Sequence, residues 1–375
     1  MRDLIPADET RPTATFALEP LDLLLFRDGH PFDAGGRAST GLPGPQTLAG
    51  ALTSALLEAA ALDPAAVRAA VRQTGDLAGT ADVLGPVAAA IGRCRFLGPL
   101  FEITAALPAR TGLPARGLVR EILLPLPAHL RRAAGTGAAV PLLPLRDPLP
   151  GWSGSETPLW LRSEAVLERP AGFVALSAVA GLLRGEAAPA DGMVAADEVF
   201  GYEDRTGIAI DRERATASEG ALYGVRFLAL RPGVRLVVEV GFDGALQPLI
   251  DGLEGLLSLG GERRSVRIEG REAVAWPTVA PGGDGRFLWT IAPSILPQGN
   301  RLTEPASLAA AVSGYRAISG WDLARGGPKP NRFAAEAGSV FFLPDLELPA
   351  RGGLGRPEDV RLGWGGYLRG NWCYA

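Results

Sequence analysis

Leu21-Asp22-Leu23-Leu24-Leu25-Phe26-Arg27-Asp28-Gly29-His30-Pro31-Phe32 sets the reading of this chain. An apolar run of strand composition ends in a compact polar turn carrying a guanidinium, a carboxylate, a glycine and an imidazole, so chemistry is presented beside a buried sheet. Three later segments repeat the idiom: Glu203-Asp204-Arg205-Thr206-Gly207-Ile208, Leu259-Gly260-Gly261-Glu262-Arg263-Arg264 and Leu362-Gly363-Trp364-Gly365-Gly366-Tyr367. Each joins glycine-permitted backbone to arginine or aromatic side chains, a pairing suited to a polyanion with exposed bases.

Working outward, Phe16 to Phe26 reads as a first strand, bulged at Pro20, and a Gly- and Pro-rich loop then leads to a helix over 47–62. Thr47 is its expected N-cap, Leu48, Leu52, Leu56 and Ala59 form its apolar face, and Gly50 is expected to allow close packing on the sheet. Asp63, Pro64 and Gly75 bracket a second helix that reads as an insertion. Residues 95–170 alternate short apolar runs with prolines, which points to edge strands or hairpins, and 173–184 reads as an apolar helix stopped by Gly185. Farther on, 221–230 and 235–242 flank Arg231-Pro232-Gly233-Val234 as a hairpin. Leu246, Leu249, Ile250, Leu253, Leu256 and Leu257 then fall at helical spacing. Strand-like runs at 265–269, 286–291, 338–343 and 367–374 complete an α+β pattern. We expect a frayed leader over 1–15, a first domain over 16–200 and a second over 201–375.

Composition narrows the function. The 375 residues are 47% hydrophobic, ample for two cores, and 49 glycines with 32 prolines imply many loops. A net charge of −4 restricts any nucleic-acid footprint to a local patch balanced by acid elsewhere. Lys329 is the single lysine among 37 basic residues, a bias that a GC-rich genome produces, so arginine content alone proves nothing. Cys94 and Cys373 cannot build a disulfide framework, and with His30 and His129 they lack recognised zinc spacing, so no metal or other cofactor is expected. No apolar run approaches a membrane span and Met1 to Thr15 is not signal-like, which points to a cytoplasmic protein without a membrane partner.

The familiar catalytic signatures are missing. A Walker A loop needs Gly-Lys-Ser/Thr, but Lys329 stands in Pro328-Lys329-Pro330. Gly363-x-Gly365-Gly366 lies too near residue 375 for a dinucleotide fold to follow it. Gly-x-Ser-x-Gly is absent, so a Ser-His or Cys-His catalyst would have to recruit His30 or His129.

A set of ordered blocks is more specific. Leu18-Glu19-Pro20-Leu21-Asp22 through Phe32, then Pro43-Gly44-Pro45-Gln46-Thr47-Leu48-Ala49-Gly50-Ala51-Leu52, resembles the N-terminus of the third-subunit family of Cmr-type (type III-B) CRISPR effector complexes. In the expected order follow Arg205-Thr206-Gly207-Ile208-Ala209-Ile210-Asp211, Glu219-Gly220-Ala221-Leu222-Tyr223, Leu259 to Arg264, Gly320-Trp321-Asp322-Leu323, Pro328-Lys329-Pro330 and Ala337-Gly338-Ser339-Val340-Phe341-Phe342. Residues 63–195 are poorly covered, the leader has no match, and His30 stands where the family often has arginine. The resemblance implies a RAMP-superfamily chain with two ferredoxin-like (RRM-like) domains, insertions, and a C-terminal glycine-rich loop, here Gly363 to Gly366. It further implies a non-catalytic subunit that grips the repeat-derived 5′ handle of guide RNA. Its expected partners are the large polymerase-cyclase-like subunit and the backbone RAMP subunits.

The residues themselves leave alternatives open. Arg27 either contacts RNA or closes its turn against Asp28 or Asp22, and His30 is a loop residue, an RNA contact or a general base. Arg37 is solvated or ordered by RNA. Arg205, like Arg212 and Arg214, alternates with acids, so ion pairing competes with RNA binding. Arg263 and Arg264 follow Gly260-Gly261 at an expected helix end, where cations also complement the dipole. Trp364 and Tyr367, beside Gly365 and Gly366, are base platforms or core. Lys329 and Arg332 face RNA or a neighbouring subunit. Three functions compete: the handle-binding subunit, a RAMP endoribonuclease that processes precursor guide RNA with His30 as base, and a pure assembly adaptor.

Overall fold

The computed structural model describes residues 3–26, 37–38, 41–105, 119–133, 137–147, 149–211, 214, 216–298, 301–322 and 326–375. Helices and antiparallel strands mix along the chain, and two sheets organise it. The first has eight strands in the order Met193–Val194, Phe173–Ala175, Val119–Pro125, Arg95–Ala105, Val234–Gly241, Thr13–Pro20, Ser265–Arg271, Gly255–Ser258. Its register places Leu18 between Leu236 and Ile268, and all three are buried.

Helix α1, Pro45–Ala59, covers one face of this sheet. It starts two residues before the expected N-cap because Pro45 supplies a helical φ at the first position, and Gly44 takes the cap. Leu48, Leu52 and Leu56 are fully buried against Phe16, Leu18 and Val238, and each contributes roughly 1.5–3 kcal/mol. Gly50 lies on the exposed side instead, with nothing near its Cβ position, so it does not serve sheet packing. Helix α2, Pro64–Thr74, has the expected bracket: the Asp63 carboxylate accepts from the Ala66 amide at 3.0 Å, and Gly75 has φ 94°.

The second sheet runs Leu4–Pro6, Arg351–Leu354, Gly366–Trp372, Gly285–Thr290, Val340–Pro344, Ala309–Ala311. Phe287, Trp289, Phe342, Leu368 and Trp372 pack with Leu100, Ile122, Leu124 and Val237 of the first sheet, forming a core between the two. Trp289 also donates its indole N–H to the Pro125 carbonyl at 3.1 Å.

Several expectations change here. The leader is not frayed at Asp3 to Pro6: Leu4 is buried, and the Asp3 carboxylate accepts from the Thr303 amide and hydroxyl and the Glu304 amide at 3.2, 2.9 and 3.3 Å. A domain break at residue 200 does not follow the sheets, because Val234–Gly241 and Ser265–Arg271 flank Thr13–Pro20 in the first one. The crossover to the second sheet lies over 272–284. The expected hairpin around Arg231 to Val234 is a turn between sheets. Thr216–Leu230 pairs with Phe200–Asp211 in a long hairpin, whereas Val234–Gly241 inserts between two strands that bury its alternating face. The helix expected over 246–257 is cut to Gln247–Asp251, with strand Gly255–Ser258 beyond it. Gly252 and Gly255, the latter at φ 108°, interrupt it, yet Leu246, Ile250, Leu253 and Leu257 still reach the core. At 173–184 the first three residues are strand, and the helix is Leu176–Leu183.

Candidate nucleic-acid interface

Past Pro20 the chain leaves the first sheet and ties itself to the long hairpin. Leu24 and Leu228 exchange backbone hydrogen bonds of 2.9 and 2.8 Å, and Arg37–Ala38 pairs in parallel with Gly224 and Val225. The described residues on either side of 27–36, Leu24 and Arg37–Ala38, thus pair with one strand, Thr216–Leu230. Arg27 and His30 lie outside the described residues, and of Arg37 only the backbone is placed.

The block Gly260 to Arg264 meets the same anchor. The Gly261 amide donates to the Leu25 carbonyl at 2.7 Å, and a Cβ on Gly260, whose φ is 83°, would lie 2.4 Å from that oxygen. Only glycine fits this approach. Glu262 and Arg263 then adopt φ 55° and 50°, closing the tight hairpin between Gly255–Ser258 and Ser265–Arg271. Two adjacent non-glycine residues in this region store roughly 1–3 kcal/mol each. No helix ends here, so the dipole reading of the two arginines falls away. Arg263 is exposed and forms no ion pair among the described residues, while Arg264 donates to Asp22 at 2.7 Å and Glu262 at 3.2 Å.

Phe227 of the hairpin binds the pieces together. The Arg264 guanidinium lies 4.8 Å and that of Arg205 5.3 Å from its ring centroid, and Arg205 also donates to Glu203 at 2.7 Å. Phe227 is buried, so its faces serve cations rather than bases. Tyr202 and Arg226, which sequence reasoning missed, occupy the other side of the hairpin. Tyr202 is 45% exposed, and Arg226 sits 5.7 Å above it while gripping both oxygens of Asp204 at 2.9 Å. The available signal was the alternation of 202, 204 and 206 on one strand face.

A groove of about 1920 Å³ runs from Leu25, Gly260 and Gly261 along the outer side of α1 to Gly320 and Lys329. Gln46 donates to the Ser319 carbonyl at 3.2 Å and so fixes the far wall to the start of α1. Lys329 is exposed and unpaired among the described residues, its amide donating to the Gly320 carbonyl at 2.7 Å. Arg332 differs: it forms a bidentate pair with buried Asp359 at 2.6 and 2.5 Å, so its planar fork is already filled.

The glycine-rich loop is a correction. Gly363, at φ 97°, faces Pro45 and the Phe96 and Gly98 carbonyls, and Gly365, at φ 72°, would place a Cβ 2.1 Å from the Leu354 oxygen. A Cβ on Gly366 would meet Leu97 at 2.4 Å. Trp364 packs with Ile295 and Ala334, and both it and Tyr367 are buried, so neither ring offers a face to a base. These close approaches join the sheets to α1 and present no backbone to a phosphate. Burial pushes the Tyr367 hydroxyl far above its ordinary range.

Arg205, Arg226, Arg264 and Arg332 are thus matched by acids, while Arg263 and Lys329 stand apart; the groove lining itself carries Arg316 and Lys329 beside Glu58, Glu254, Asp322 and Glu336. Among the described residues no group of three His, Cys, Asp or Glu could hold a metal ion, and no helix is long and apolar enough to cross a membrane.

Comparison with known proteins gives a family. A family model described as CRISPR-associated protein (Cas_Cmr3) matches residues 16–372. The CRISPR system CMR subunit Cmr3 of Saccharolobus solfataricus is 33% identical over 72 residues, a match that covers 19% of this chain and 22% of that protein's length. A chain of the type III-B Cmr-beta complex bound to cognate target RNA superposes with a TM-score of 0.50 at 20% identity, over 88% of this chain and 86% of that one. A chain of the Csm3-Csm4 subcomplex of the type III-A interference complex aligns at 12% identity with a TM-score of 0.39, over 89% and 94%.

Proposed function

Because the chain belongs to the Cas_Cmr3 family of CRISPR-associated proteins, subunits of type III-B effector complexes, we propose that it is a non-catalytic subunit that holds the 5′ repeat-derived handle of guide RNA. On this reading it works in the cytoplasm, docks on the large polymerase-cyclase-like subunit and adjoins the backbone RAMP subunits. Its two sheet units are elaborated ferredoxin-like modules. The observation that carries the proposal is convergence: blocks more than 200 residues apart, Leu21 to Phe26 and Gly260 to Arg264, meet through the Gly261–Leu25 hydrogen bond. They do so at one end of a groove whose other end holds Lys329.

The chemistry fits an ordered single strand. Arg263 and Lys329 are free to meet phosphates, and Tyr202 offers an exposed ring for stacking. Arg27, His30 and Arg37 supply further donors in this proposal, while Arg205 and Arg264 hold the hairpin in place through Phe227. Two free cations neutralise few phosphates, so the isolated chain binds weakly and the assembled complex supplies the rest. A histidine-dependent ribonuclease is less well supported. Burial pushes His129 down to about 3 and packs it against Phe287 and Phe342, which leaves His30 as its base.

The test is reconstitution with labelled guide RNA. Arg263→Ala with Lys329→Ala lowers RNA retention and flattens its dependence on salt by about two counter-ions. Unchanged retention and slope support the adaptor reading instead. Metal-independent cleavage of repeat RNA by the purified chain, lost in His30→Ala, would sink the non-catalytic assignment.

A further inference from the structure

A second cavity, of about 100 Å³, lies at the seam of the two sheets and adjoins the larger groove, with which it shares Ile291 and Trp364. Phe96, Ile291, Tyr367 and Leu368 form its buried floor, and half-buried Arg95 and Trp276 stand at its rim. Glu239 closes one side: its carboxylate accepts from Arg351 at 2.8 Å and from the Trp276 indole at 2.9 Å, so both oxygens are in use.

Two groups are left over. Tyr367 is 1% exposed and its hydroxyl has no hydrogen-bond partner, a desolvation that the fold leaves uncompensated. Arg95 forms no ion pair among the described residues. Asp8, also on the rim, is held below its ordinary range chiefly by the Thr10 hydroxyl and more weakly by Arg95, and it spends its oxygens on Thr10 and Arg11. An orphan donor deep in an apolar cleft and a spare guanidinium at its mouth describe an amphipathic guest. The volume is of the order of a single six-membered ring, since one water needs about 10–15 Å³ and a 150 Å³ cavity accepts benzene.

We propose that this cavity binds a small molecule with one planar ring and one anionic group. The ring lies on Phe96, Ile291 and Leu368, a ring oxygen pairs with the Tyr367 hydroxyl, and the anion meets the Arg95 fork.

Calorimetric titration of the full chain with 4-hydroxybenzoate and with uridine 5′-monophosphate tests this. Saturable one-site binding of either probe is expected, weakened roughly tenfold by Arg95→Gln, which removes a charge-assisted contact. Tyr367→Phe is expected to weaken it several-fold while leaving the unfolding midpoint at or above that of the parent, because it deletes an unsatisfied buried hydroxyl. Preference for the nucleotide identifies a nucleotide site; preference for hydroxybenzoate identifies an aromatic-acid site. Absence of saturable binding by both probes, or binding unaltered in both variants, overturns the proposal and leaves a water-filled seam.

Discussion

Two glycine-rich blocks look alike on paper and do opposite work. Gly363 to Gly366 is folded inward, each missing Cβ replaced by a carbonyl, a proline or a leucine from another element. Gly260 to Arg264 is turned outward: its first glycine is pressed on Leu25, while Arg263 stands in solvent on left-handed backbone. The companions decide between these fates. Trp364 and Tyr367 bring apolar area that repays burial, whereas Glu262, Arg263 and Arg264 cannot be buried without partners. Glycine permits close approach in both cases, and the neighbours choose what approaches.

This contrast breaks most visibly at the inner loop. Gly365→Ala puts a Cβ onto the Leu354 carbonyl at positive φ, and we expect a loss of roughly 3 kcal/mol or more in denaturant unfolding, with little soluble protein. A parent-like unfolding curve would mean that the seam yields. Acid probes the same core. His129, with no partner on Nδ1, has its pKa lowered to about 3 by burial and, secondarily, by Arg131, while in the unfolded chain it titrates near the ordinary histidine value of about 6.5. The unfolded state therefore binds the extra proton, and the stability from a neutral His129, complete above pH 6.5, drains away as pH falls toward 3. Between about pH 6.5 and 5, where carboxylates stay ionised, His129→Leu should flatten the decline in unfolding free energy measured against pH.

The outer block should respond more gently. Gly260→Ala strikes the Leu25 carbonyl in a hairpin with one side in solvent, so about 1–3 kcal/mol is expected, together with lost guide-RNA retention in the reconstituted complex. Full retention would detach this turn from the RNA site. Smallest of all, Arg263→Gly relieves left-handed strain, and the unfolding free energy should stay level or rise by up to about 1 kcal/mol. Retention should fall at the same time, with a shallower salt slope. Stability and binding moving together would refute the division of labour between the two loops.

The sequence was informative where local chemistry decides. Pro64, Asp63 and Gly75 bracketed α2, and the leucine face of α1 was legible from spacing alone. It was misleading where distant pairing decides. Nothing near Val234 says that its strand will enter between Thr13–Pro20 and Arg95–Ala105 rather than fold back on residue 230. Leu246, Ile250, Leu253 and Leu257 stayed buried while the run changed from helix to strand and Leu256 turned outward, since a buried leucine is indifferent to the element that carries it. In the candidate site, the block Gly260 to Arg264 was visible as a motif. The pairing of Arg332 with Asp359 and the burial of Trp364 depend on contacts that no local pattern encodes.

The strand Thr13–Pro20 bears on how the protein is made. Its neighbours in the sheet, Val234–Gly241 and Ser265–Arg271, leave the ribosome more than 200 residues later, and Leu4–Pro6 waits still longer for Arg351–Leu354. During that interval Phe16 and Leu18 travel as an unpaired apolar edge, the kind of segment that chaperones hold and that crowded synthesis tends to aggregate. Supply of this subunit would then be governed by the completion of its own chain, and truncated products would be cleared rather than assembled.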